Sequence, residues 1–60
     1  MKYTKSTMLK LVNEERELHD ELKKIKSEMG LEKNRALKAL YHSVVADGGR
    51  FQTRYQELDR

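Results

Sequence analysis

The sequence predicts an all-α fold: an antiparallel helical hairpin of two long helices that assembles into a homo-oligomeric helix bundle. Three observations predict it. Apolar residues recur at heptad spacing in both halves of the 60-residue chain, a lone Gly30 separates the halves, and proline is absent. Charged residues make up 38% and hydrophobic residues 37%, with a mean hydropathy of −0.96; the periodic placement of the apolar residues makes this mix amphipathic helix rather than disorder.

Helix 1 is expected over roughly 5–29. Met8, Glu15, Leu22 and Met29 are spaced by seven, as are Leu11, Leu18 and Ile25, and the two sets interleave as an a/d seam with one polar member, Glu15. That carboxylate reads as a register-setting polar residue rather than a catalytic base. Thr4 or Ser6 can cap the start. Lys23, Lys24 and Lys26 favour the negative end of the helix dipole, and Gly30 can take the left-handed position that stops the helix. Residues 30–32 form the turn, with Leu31 folding back toward Ile25.

Helix 2 is expected over roughly 33–58. Leu37, Val44, Phe51 and Leu58 repeat by seven, with Tyr41, Gly48 and Tyr55 four residues after the first three. Gly48-Gly49 argues for a break at 47–49, because two interior glycines cost about 2 kcal/mol relative to alanine. The unbroken phase of Phe51, Tyr55 and Leu58 argues for a continuous helix, kinked at 48–49, and that is the expectation. Folding the hairpin sets Leu22 beside Leu40, Leu18 beside Val44, Glu15 beside Asp47-Gly48 and Leu11 beside Phe51. Leu9, Val12, Leu40, Val45 and the tyrosines overflow a two-helix seam. A dimeric four-helix bundle, or a higher oligomer, would cover them.

Size supports association. A chain this short buries only about 60% of its unfolded surface, and with no Cys it has no disulfide to compensate. The basic start, Met1-Lys2-Tyr3-Thr4-Lys5, is followed by no long apolar run, so neither a secretory signal nor a membrane span is expected. The expected setting is cytoplasmic (the host cytoplasm for a phage-encoded chain).

The functional candidates are weighed by spacing. His19 and His42 sit on different helices without metal-ligand spacing, and Ser6, Thr7, Ser43 and Thr53 lack a His–acid pair. No phosphate-binding glycine loop is present, so neither an enzyme nor a cofactor is expected. Charge placement is the stronger clue. The first 13 residues carry Lys2, Lys5 and Lys10 and no acid, and the hairpin register sets them beside Arg50, Arg54 and Arg60, with Tyr3, Tyr55 and Phe51 interleaved. Cations with aromatic rings bind phosphates and stack bases. The candidate anion site is therefore Lys2, Tyr3, Lys5, Lys10, Arg50, Arg54 and Tyr55. The candidate core seam is Met8, Leu11, Leu18, Leu22, Ile25, Leu37, Leu40, Tyr41, Val44, Phe51 and Leu58.

Two likenesses bear on these candidates. In size and plan the chain resembles the plasmid RNA-binding hairpins that dimerise into a four-helix bundle and grip paired RNA loops. The run Arg35-Ala36-Leu37 through Gly48-Gly49-Arg50-Phe51-Gln52-Thr53-Arg54 is similar to the second helix of phage cyclic-nucleotide sponges, in which a Gly followed six residues later by Arg lies mid-helix. Gly48 and Arg54 have that spacing, while the Arg-to-Gly distance differs by one residue. The expected function is that of a non-catalytic regulatory or inhibitory protein of the phage or mobile-element type, docking a protein partner through oligomeric helix faces. The alternative is an anion-binding module, either an RNA-binding bundle or a sponge for cyclic nucleotide messengers.

Overall fold

Alternating runs of apolar and charged residues fold into helices, and the helices turn where a polar side chain or a glycine interrupts the seam. The computed structural model describes residues 2–59, and among these the elements are α1 (Lys5–Glu14), α2 (Arg16–Met29), α3 (Lys33–Val44), a 3-10 turn (Ala46–Gly48) and α4 (Gln52–Leu58). The all-helical class is as expected. The two long rods are not: each is broken into two helices.

Length alone decides this correction. An unbroken helix over 5–29 would run about 37 Å, yet the longest extent of the molecule is 31 Å. The radius of gyration, 10.5 Å, agrees with the roughly 10 Å of a compact chain of this length.

The first break falls on Glu15, which is extended (φ −114°, ψ 104°). Its N–H donates to the Leu11 carbonyl at 3.0 Å, closing α1, and its own carbonyl accepts from Leu18 and His19 at 3.0 and 3.1 Å, opening α2. One residue thus ends one helix and begins the next. An unbroken seam would bury the Glu15 carboxylate among apolar side chains, which is costly without a partner. The corner leaves it partly exposed and frees α1 to pack against α2, α3 and α4.

Gly30 adopts the left-handed conformation (φ 64°, ψ 29°) that ends α2, as its position predicts. Thr4 stands at the N-cap of α1, extended, and its carbonyl accepts from Met8 N–H at 3.0 Å while its side chain makes no cap bond.

The second break lies at 45–51. Asp47 (φ 55°) and Gly48 (φ 79°) both turn left-handed, so the expectation of a continuous helix through 33–58 is overturned. The likeness to a sponge helix carried the same expectation for Gly48, and it fails with it. Gly49 is required for a different reason. A Cβ there would lie 2.2 Å from the Val44 carbonyl carbon, so the chain can cross the end of α3 only without a side chain at this position. The crossing is fastened by Phe51 N–H donating to the Val44 carbonyl at 2.8 Å.

The core explains why both rods fold. Met8, Leu11, Val12, Leu18, Leu22, Ala36, Leu37, Leu40, Tyr41, Val44, Val45 and Tyr55 are buried together. Val12, Leu40, Val45 and Tyr55, which overflow a two-helix seam, lie inside this core. Each such side chain contributes about 1.5–3 kcal/mol by leaving water. Of the expected seam, Ile25, Phe51 and Leu58 lie at its half-buried margin instead of its centre. Met29 is the one large hydrophobic left mostly exposed among the described residues. Of the rest of the overflow, Tyr41 joins Val12, Leu40, Val45 and Tyr55 inside the core, while Leu9 and Tyr3 stay half-buried against its edge.

Candidate functional site

The end of the molecule expected to be basic and aromatic is assembled differently from the expectation. Tyr55 is fully buried. Its hydroxyl accepts the Thr4 N–H at 2.7 Å and donates to the Lys2 carbonyl at 3.0 Å, so it ties the N-terminal segment to α4. Thr7 Oγ1 adds a second tie, donating to the Asp59 carboxylate at 2.8 Å. The ring of Tyr41 meets Tyr3 and Tyr55 edge-on, with centroids 5.2 and 5.3 Å apart. These rings face one another, so the Tyr55 face that a base would stack on is taken up inside the fold. Burial raises the phenol pKa of both Tyr3 and Tyr41, and the nearby Tyr55 phenol adds to it.

The two expected arginines are also engaged. Arg50 pairs with Glu17, and its guanidinium lies 5.4 Å from the Phe51 ring centroid. Arg54 pairs with Glu14 at 2.5 Å and lies 3.7 Å from both Glu15 and Glu57. These contacts fasten the second break and α4 across the corner between α1 and α2. The acids that the sequence shows as a block on helix 1 therefore neutralise the arginines meant for an anion. Lys2, Lys5 and Lys10 remain exposed, without an ion pair among the described residues. Arg60 lies outside the described residues.

A second concentration of charge lies elsewhere. The inner face of α3 is Ala36, Leu37, Leu40, Tyr41 and Val44, all buried. Arg35, Lys38 and His42 follow at steps of three and four on the outward side, all exposed, and Lys33 and Asn34 are exposed at the first turn. No acid occurs between Lys33 and Val44. Arg35 also borders a shallow depression with Gly30, Leu31 and Glu32 at the α2–α3 turn. On α2, Arg16, His19, Lys23 and Lys26 share one flank, and Glu17, Glu21 and Glu28 share the other. The α3 pattern was readable from the sequence as a twelve-residue helix with three cations, a histidine and no carboxylate.

Neither family models, curated proteins nor solved structures match this chain. Among the described residues, no group of three or more His, Asp or Glu is placed to hold a metal ion, and no helix is long and apolar enough to cross a membrane.

Proposed function

We propose that this chain is a non-catalytic binding protein, regulatory or inhibitory in effect, that docks a protein partner on its outward helix faces. One observation carries the reading: the chain turns nearly all of its large apolar side chains onto itself, so what it offers outward is charge sorted by helix face. Charge arranged in this way selects partners and steers encounter more than it adds raw affinity. Self-association belongs to the proposal only as one form of docking, because the fold has no uncovered apolar seam that demands it.

The test reverses charge on each face in turn, Lys23→Glu with Lys26→Glu on α2 and Arg35→Glu with Lys38→Glu on α3. Native mass spectrometry then follows the complexes formed in cells. Loss of one stoichiometric partner with one face, while circular dichroism stays unchanged, supports the reading. A partner retained through reversal of both faces contradicts it.

A second reading, recognition of phosphate groups on a nucleic acid or nucleotide, is favoured by the acid-free outward side of α3. Ligand class separates the two, because docking through charged faces and phosphate binding both weaken as ionic strength rises. The isolated chain should bind a labelled nucleic acid or nucleotide under the second reading and not under the first.

A further inference from the structure

We infer that the outward ridge of α3 is a docking surface for the phosphate backbone of duplex DNA; this deepens the second reading above and rests on it. Arg35, Lys38 and His42 lie along one side of a helix, spanning about 10 Å from first to last. The ion pairs among the described residues are all made by Arg50 and Arg54, so the cations of α3 are not spent on the chain's own carboxylates. Glu32 precedes the ridge and Asp47 follows it, and neither lies on it. Charge complementarity therefore points to a polyanion.

The exposed first turn of α3 favours the duplex over other polyanions. α3 follows α2 through a turn of three residues, 30–32, begun by the left-handed Gly30, a length found in antiparallel helical hairpins and in helix-turn-helix units alike. In helix-turn-helix units the second helix enters the major groove and presents its first turn to the base edges. Here that turn exposes Asn34 and Arg35, the residue types that pair with adenine and guanine. The major groove of B-DNA, about 12 Å wide, admits a helix, and the narrow major groove of A-form RNA does not.

Fluorescence anisotropy of the full chain against a labelled 20-base-pair duplex, a hairpin RNA and a cyclic dinucleotide, each at about 50 and about 200 mM salt, tests this. The duplex should bind most tightly. Arg35→Ala with Lys38→Ala should weaken it at least about tenfold and flatten its log–log salt slope by about two. Arg50→Ala with Arg54→Ala should leave it close to wild type, with folding checked by circular dichroism. If the RNA or the dinucleotide binds more tightly than the duplex, and through the same two residues, the duplex assignment is overturned and the phosphate reading stands. If none of the three binds to the folded chain, both fall. Duplex binding unchanged in the Arg35/Lys38 variant overturns the assignment to α3.

Discussion

Tyr55 is the residue on which the most structure converges. Its ring is buried and its hydroxyl serves two backbone groups of the N-terminal segment, Thr4 N–H and the Lys2 carbonyl. Tyr55→Phe keeps the ring but leaves those groups without their protein partner, so it should cost about 1–3 kcal/mol in denaturant unfolding. Exchange of the Thr4 amide should rise with it. An unchanged midpoint would show that the tie contributes nothing. The tyrosine cluster also sets a pH limit. Burial raises the phenols of Tyr3 and Tyr41 above their ordinary 10.0. The folded chain therefore holds those protons more firmly than the unfolded chain does. Their contribution is fully present below pH 10.0 and is lost as pH rises through the folded-state values. Melting temperature should fall across that alkaline window, and Tyr41→Phe should make the fall shallower. Had this tyrosine no part in the titration, the variant would lose stability in parallel with the parent.

At the scale of elements, what was legible in the sequence and what was not divide along physical lines. Gly30 was legible because a left-handed helix stop leaves a local signature, a glycine after a run of lysines. The break at Glu15 was not, because no glycine or proline marks it. It arises from tertiary packing, in which α1 gains three neighbouring helices by turning a corner and the carboxylate escapes burial. At Gly48-Gly49 the sequence carries both signals, a glycine pair that breaks a helix and a hydrophobic phase that continues one. Phase persisted for a different reason: Tyr55 and Leu58 belong to a separate short helix that still faces the same core. The two glycines should respond differently to substitution. Gly48→Ala strains a left-handed backbone with open space around it and should cost about 1–2 kcal/mol. Gly49→Ala drives a methyl group into the backbone of Val44 and should cost more, about 3 kcal/mol or above, by shifting α4 off the core. Equal costs in thermal unfolding would mean that the crossing of the chain over α3 is not tight.

For the whole molecule, most of the apolar surplus finds cover within the chain itself. Two straight helices can bury only one seam, so a two-rod fold left Val12, Leu40, Val45 and Tyr55 needing a second copy. Four shorter helices cover those residues with the chain's own surface. The candidate site shifts for a related reason. Folding α4 against the α1–α2 corner brings Arg50 and Arg54 onto Glu14, Glu15 and Glu17, a pairing invisible while helix 1 is drawn straight. What remains outward is the charge on α2, on α3 and on the N-terminal lysines.

If one chain closes its own core, dilution should leave the fold untouched. Far-ultraviolet circular dichroism from about 100 to about 1 µM, with sedimentation equilibrium at each concentration, is the decisive measurement, because folding coupled to association depends on concentration. Helical signal and melting temperature should stay constant on dilution, whatever surface association occurs at the upper end. Helix that melts away as the chain becomes monomeric would mean that the core needs a second copy.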